Sequence, residues 1–277
     1  MGRIGIRRGR GRSRDTGIVV HPRAGDRYML KNQAVSWISK NLFDNVTYTV
    51  RNGLNKGLRR RGGLGWLPFE STDTPEARFW KQLDLTGKVV YDIGAFHGLL
   101  TIFFARRARI VVAWEPNSRN RQRLNENVRL NAFRNVTVLP YGLSFQPMQA
   151  TMKFDPLASG RASIDAGIAG GAEAEVVEIR TLDQEEGLEK PDLIKIDVEG
   201  FELNVLNGGT RTLERHPALF LEMHGADPAD KRERVQAIVN RLWSLGYRDI
   251  RHVESGSPIT PENTATAAQG HLYVRAG

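Results

Sequence analysis

Residues 89–98, Val-Val-Tyr-Asp-Ile-Gly-Ala-Phe-His-Gly, constrain this chain more than any other stretch. An apolar run that ends in an acid and two glycines, then opens into the apolar segment Leu99–Ala105, reads as a buried strand, a tight turn and a helix. Such a unit brings bare backbone N–H groups and a helix N-terminus to a ligand. Gly94 and Gly98 suit the turn because a side chain at either would hold ligand atoms off that backbone. A second acid, Glu115, closes the next apolar run, Ile110-Val111-Val112-Ala113-Trp114. It lies 23 residues past Asp92, near the spacing of about 20 at which a dinucleotide fold places its ribose-binding carboxylate. The glycines, however, run Asp-x-Gly-x-x-x-Gly rather than Gly-x-Gly-x-x-Gly. That spacing favours a cofactor with no pyrophosphate to cradle, such as S-adenosylmethionine.

From residue 88 onward strand-like and helix-like patterns alternate, which predicts an α/β fold, a mostly parallel sheet with helices on both faces. Strands are expected at 88–93, 110–114, 136–139, 192–196 and 218–222, and helices at about 98–107, 117–131 and 228–245. Asn117 or Ser118 can cap the second of these helices. Two late strands, 247–253 and 271–275, are joined by a loop too short for a crossover helix and should pair antiparallel. Strand-like stretches at 150–154 and 175–182 flank a Gly/Ala/Ser-rich loop at 158–172, forming a long insertion ahead of the fourth strand.

The 277 residues hold no cysteine, which excludes disulfides, thiolate metal sites and cysteine nucleophiles. No apolar run approaches the roughly 18 residues that span a bilayer, and no apolar segment follows the arginine-rich start, so a cytoplasmic protein is expected. The net charge of +9 is uneven. Residues 1–81 carry 17 Lys/Arg against 6 Asp/Glu, whereas residues 82–277 carry 23 against 25. The chain is therefore read as a disordered basic leader (1–16), a helical N-terminal extension (17–84) and a catalytic domain (85–277). Within the extension, Ile38, Leu42, Val46, Val50, Leu54 and Leu58 recur every fourth residue, which predicts an amphipathic helix from Trp37 to Leu58. Its basic end can meet a membrane surface, or the helix can pack across the catalytic domain. The near-neutral catalytic domain speaks against nucleic acid as a partner, leaving an RNA-directed reading to the basic leader alone.

Several motifs occur in order: Asp92-x-Gly94-x-x-x-Gly98-x-x-Thr101, Glu115-Pro116-Asn117, Asn131, Ile194-Lys195-Ile196-Asp197-Val198-Glu199-Gly200-Phe201-Glu202 and Leu221-Glu222-Met223-His224-Gly225. Together they resemble the FkbM-like family of S-adenosylmethionine-dependent methyltransferases. The resemblance implies a Rossmann-like class I methyltransferase sheet with an antiparallel C-terminal hairpin. It also implies O-methylation of a sugar, glycolipid or secondary metabolite, with a small-molecule or glycan acceptor. Phe96 departs from the polar residue the family often carries in the glycine turn. By the same resemblance, the cofactor is expected against Asp92, Gly94, Ala95, Gly98, Glu115, Pro116, Asn117 and Gly142. Glu115 would take both ribose hydroxyls, and Asp92 would serve the cofactor's amino-acid end or orient the turn.

The catalytic end is expected at His224, Asp197 and Glu199. Residues 195, 197 and 199 share one face of a strand, at the switch point where open α/β sheets bind ligands. A base with a near-neutral pKa suits removal of a hydroxyl proton, which points to His224, with Asp197 and Glu199 positioning it or the acceptor. Alternatively, these residues with Glu222 hold Mg²⁺ or another divalent ion, although no ligand spacing demands one and no metal ligand is assigned. Glu199 and Glu202 can also be first-turn acids of the helix that follows. A nicotinamide-dependent oxidoreductase is the alternative from another class. It would need the tighter glycine pattern and leaves the motif around Asp197 unexplained.

Overall fold

Val46-Thr47-Tyr48-Thr49-Val50 is rich in β-branched side chains, which favour extended backbone. In the computed structural model, which describes residues 45–62, 73–154, 162–163, 173–225 and 227–277, this run carries strand β1 (Thr47–Thr49). It pairs antiparallel with β2 (Arg59–Arg61). The helix expected over Trp37–Leu58 is therefore absent from its described part, and residues 37–44, like the leader, lie outside the described residues. Gly53 (φ 77°) and Gly57 (φ 85°) turn the chain back between the strands. Val50 and Leu58, read as one helical face, are buried instead by a chain reversal, with the Val50 N–H donating to the Leu58 carbonyl at 2.8 Å. The membrane-surface contact assigned to that helix loses its basis over these residues.

The described helix of the extension is α1 (Pro75–Gln82), started by the Thr74 side chain, which accepts from the Ala77 N–H, and by proline in the first turn. It buries Trp80 completely, with ring centroids 5.0 Å from Phe104 and 4.2 Å from Phe220. Removing an indole from such a site costs about 3–5 kcal/mol, so α1 is anchored to the catalytic domain.

The domain then alternates as the sequence predicts: β3 (Val89–Ile93), α2 (Leu99–Ala105), β4 (Ile110–Trp114), α3 (Ser118–Leu130) and β5 (Val136–Leu139). Asn117 caps α3 by accepting from the Asn120 N–H. After β6 (Gly142–Leu143) come the insertion strands β7 (Met148–Phe154), β8 (Ala162–Ser163) and β9 (Glu173–Arg180). Most of the Gly/Ala/Ser-rich loop lies outside the described residues. The chain returns through β10 (Leu193–Ile196), α4 (Glu202–Asn207), α5 (Thr210–Leu213), β11 (Ala218–Glu222), α6 (Pro228–Ser244), β12 (Asp249–His252) and β13 (His271–Arg275).

The main sheet has seven strands in the order β12-β13-β11-β10-β3-β4-β5. Within it β13 alone runs antiparallel, paired with both β11 and β12 as the short connection requires. One apolar core lies under α1 and α2, around Trp80, Phe104 and Phe220. The other lies under α4 and α6, around Ile196, Val205 and Ile238. The insertion builds a separate four-stranded sheet, β6-β9-β7-β8.

Asparagines on α3 tie the hairpin to the domain. Asn127 and Asn131, one turn apart, accept from the Arg61 and Arg59 N–H groups at 2.9 and 2.7 Å, completing the backbone bonds of β2 as a third strand would. Asn127 also donates to the His97 carbonyl at 2.8 Å, so the hairpin and the glycine turn share one buried side chain.

Candidate active site at the carboxyl edge of the sheet

Between β3 and β10 the chain direction across the sheet reverses, and the carboxyl ends of these strands open onto a cleft of about 910 Å³, counting its solvent-facing mouth. Of the residues expected at the cofactor, Gly94, Glu115, Pro116 and Gly142 line it, as do Asp197 and Glu199 from the catalytic set. Asp92, Ala95, Gly98 and Asn117 do not.

Their places have physical reasons. Asp92 is fully buried beneath the turn, where it accepts from the Thr101 hydroxyl at 2.6 Å and faces the Lys195 ammonium at 3.3 Å. Of its two expected roles the structure favours orienting the turn. The glycines are needed for protein packing. A Cβ at Gly94 would lie 1.8 Å from the Asp197 carbonyl oxygen, and one at Gly98 would lie 2.2 Å from Leu124 Cδ1. Ala95 donates its N–H to the Trp114 carbonyl at 3.0 Å, and Asn117 serves as the α3 cap.

Glu115 is buried, with one carboxylate oxygen accepting from the Phe96 N–H at 2.8 Å and the other from the Asn117 N–H at 2.9 Å. The Asn120 side chain supplies a third hydrogen bond, and a carboxylate with about four lone-pair sites still has room for a hydroxyl donor. Burial pushes the carboxyl up to about pKa 7 against the pull of those N–H groups. Phe96 has left-handed backbone (φ 51°), and its ring stacks on His97. The turn thus presents its N–H to Glu115 without any polar side chain at position 96.

The insertion supplies one wall. Met152 and Ile179 from β7 and β9 line the cleft, and Glu175 of β9 accepts from the Ser118 N–H and hydroxyl at the start of α3. Sequence reasoning gave none of these residues a place in the site, nor Asn120, because nothing local marks them, and it quoted Phe201, also in the lining, only as part of a motif.

At the catalytic end, Lys195 is buried among Asp92, Asp197 (3.1 Å) and the Gly94 carbonyl, to which it donates at 2.9 Å. Burial alone would lower its pKa, but Asp197 and Asp92 outweigh that and raise it. Asp197 answers in kind: burial pushes its carboxyl up, and Lys195 and His224 bring it below the ordinary value. His224 does not itself line the cleft but lies against Asp197 and Glu199. Its Nδ1 is 2.9 Å from Glu202 Oε1, on a carboxylate 1% exposed. Burial would discharge this imidazole, yet Glu202, Glu199 and Asp197 hold its pKa up to about 9. That lies above the near-neutral value expected of a histidine base. Glu199 and Glu222 are both raised, chiefly by burial. Glu202 does begin α4, as expected of a first-turn acid. His216 and His252 are bonded to the Leu245 and Gln269 carbonyls.

A mostly parallel seven-stranded sheet, one antiparallel strand near its end and a cleft at the switch point define a Rossmann-like class I methyltransferase. Residues 92–248, more than half of the chain, match the family described as the methyltransferase FkbM domain, and the chain belongs to that family. The family is one of methyltransferases, which favours that reading over the oxidoreductase alternative. Among curated relatives, the hexuronic acid methyltransferase AglP of Haloferax volcanii is 32% identical over 143 residues, covering 51% of this chain and 59% of that protein. The AMB antimetabolite synthetase AmbE of Pseudomonas aeruginosa is 33% identical over 200 residues, covering 57% of this chain but 9% of that protein. The chain thus represents part of each relative. Among solved structures, methyltransferase FkbM from Methylobacillus flagellatus is 20% identical, with a TM-score of 0.46 over 73% of this chain and 51% of that one. Among the described residues no helix is long and apolar enough to cross a membrane.

Proposed function

We propose that the protein is an S-adenosylmethionine-dependent methyltransferase that O-methylates a hydroxyl of a sugar-type small molecule or glycan. The observation that carries this reading is one cleft holding both a buried carboxylate, Glu115, at the end of β4, and the acids Asp197 and Glu199 just past β10. Similarity over part of the chain to a hexuronic acid methyltransferase supports a sugar-type acceptor. Bound there, S-adenosylmethionine would supply its methyl carbon to the acceptor oxygen with loss of the bond to sulfur, which would discharge the sulfonium and require the hydroxyl proton to leave. His224, its pKa raised, orients Asp197 and Glu199. The proton leaves through the carboxylates, of which Glu199 and Glu222, with raised pKa, are the better acceptors.

Calorimetric titration of the purified protein with S-adenosylmethionine, with NAD as control, tests the reading. Micromolar binding of S-adenosylmethionine alone, lost in Glu115→Ala, is the expected result. A wild-type protein that binds no S-adenosylmethionine would overturn it.

A further inference from the structure

The ring of Phe96 stands where its backbone is least suited to carry one. At φ 51° the residue is in the left-handed region, which bulky side chains rarely adopt and which glycine or asparagine adopts more readily. Such a conformation persists where its surroundings impose it, and it gathers at ligand-binding turns. Here the Phe96 N–H donates to Glu115 at 2.8 Å, and the ring stacks on His97 with centroids 3.8 Å apart and planes 15° from parallel. The imidazole takes one face of the ring, and Phe96 lines the cleft with the remainder.

The charge of the cleft is a separate observation. Among the described residues its lining holds three carboxylates, those of Glu115, Asp197 and Glu199, and no Lys or Arg. Lys195, buried beside Asp197, does not line it. A wall of that composition favours a ligand with positive charge, and an aromatic face attracts a cation through its quadrupole. The position of the ring says which cation. The glycine turn runs between the two ends of the cleft, with Gly94 against the Asp197 carbonyl and Phe96 bonded to Glu115. A cofactor with its ribose at Glu115 and its methyl group delivered toward Asp197 and Glu199 joins those two parts through its sulfonium.

We infer that Phe96 determines specificity for the charged cofactor. The face of its ring turned from His97 meets the sulfonium of S-adenosylmethionine, and the turn thereby discriminates against the neutral thioether that remains after transfer, S-adenosylhomocysteine. The inference deepens the methyl-transfer reading and rests on it. The acids of the lining attract the sulfonium from a distance, whereas the ring acts by contact, within about 6 Å of its centroid. An aliphatic side chain would fill the same space without the quadrupole. The contact also bears on turnover, since discharge of the sulfur on transfer loosens the hold of the turn on the product.

The test is calorimetric titration of the full chain with S-adenosylmethionine and, separately, with S-adenosylhomocysteine. In Phe96→Leu the ratio of the two affinities should shift by about fivefold against S-adenosylmethionine. The ratio cancels any general loss from relaxation of the strained turn, which would weaken both ligands alike. A second variant, Phe96→trifluorophenylalanine, keeps the shape of the ring and withdraws charge from its face. It should weaken S-adenosylmethionine by a similar factor and leave S-adenosylhomocysteine unchanged. A ratio within about twofold of wild type in either variant would overturn the inference while the proposed function stood. A wild-type protein that binds neither ligand would overturn the proposed function, and the inference with it.

Discussion

Lys195→Met removes the ammonium that holds the two halves of the site together. In the wild type its Nζ lies 3.3 Å from Asp92 and 3.1 Å from Asp197, and donates to the Gly94 carbonyl at 2.9 Å. Lys195 is 4% exposed and Asp92 is fully buried, so water cannot replace the lost charge. Methionine preserves the apolar stem and most of the volume, which leaves electrostatics as the main loss. Taking one partner from a buried ion pair costs about 3–5 kcal/mol. The pH dependence identifies the cause. Burial pushes the Asp197 carboxyl up, and Lys195 is the largest of the influences that bring it below its ordinary value. With a depressed folded pKa, ionised Asp197 contributes stability above its unfolded pKa of about 4, and that contribution is lost as pH falls through the folded value. Without Lys195 burial dominates and the sign reverses, so the fold prefers the protonated acid. The deficit of the variant then grows as pH rises. Urea denaturation should show the full loss at pH 8, a smaller one at pH 5, and partial recovery at pH 8 in the double variant with Asp197→Asn. A deficit that is equal at both pH values, or below about 1 kcal/mol, would refute the reasoning.

Two further outcomes follow from single side chains. Because burial raises Glu115 to about pKa 7 and a ribose diol donates to its ionised form, cofactor binding releases a proton below neutrality. Affinity for S-adenosylmethionine should rise by about tenfold from pH 6 to pH 8, with the slope abolished in Glu115→Gln. Calorimetry in buffers of different ionisation enthalpy reads the proton directly. Asn127→Ala frees the Arg61 N–H and the His97 carbonyl together, at a cost of about 1–3 kcal/mol. Hydrogen exchange at the Arg61 amide should then accelerate, while the amides of β3 keep their protection.

The strands of the main sheet were legible because each is a short apolar run closed by turn residues, as at Val89–Ile93 and Ala218–Glu222. A cap at Asn117 or Ser118 was legible because either side chain can accept from the first free N–H groups of a helix, and Asn117 is the one that does. The hairpin at the start was not. Val50, Leu54 and Leu58 recur at four residues whether the chain coils or doubles back, and here glycines at 53 and 57 decide for reversal. The glycine turn also has a reason the sequence did not display. Gly94 and Gly98 are demanded by the Asp197 carbonyl and Leu124, neighbours far off in sequence that no local pattern displays. The raised pKa of His224 was hidden for the same cause, since three separate acids set it.

Strand alternation predicted that Asp197 and Glu199 would share a face, and both do line the cleft, but β10 ends at Ile196. What brings Glu199 there is a turn, with left-handed backbone at Glu199 (φ 52°) followed by Gly200 (φ 101°). A non-glycine residue in that conformation costs about 1–3 kcal/mol and persists only where its surroundings impose it. Glu202 imposes it by accepting from the Gly200 N–H, and the same Oε1 meets His224 Nδ1. One buried oxygen therefore both folds the turn that presents Glu199 and aims the imidazole that faces it. The motif from Asp197 to Glu202 is in this sense a single device, because loss of the acid at its end disorganises the acid in its middle.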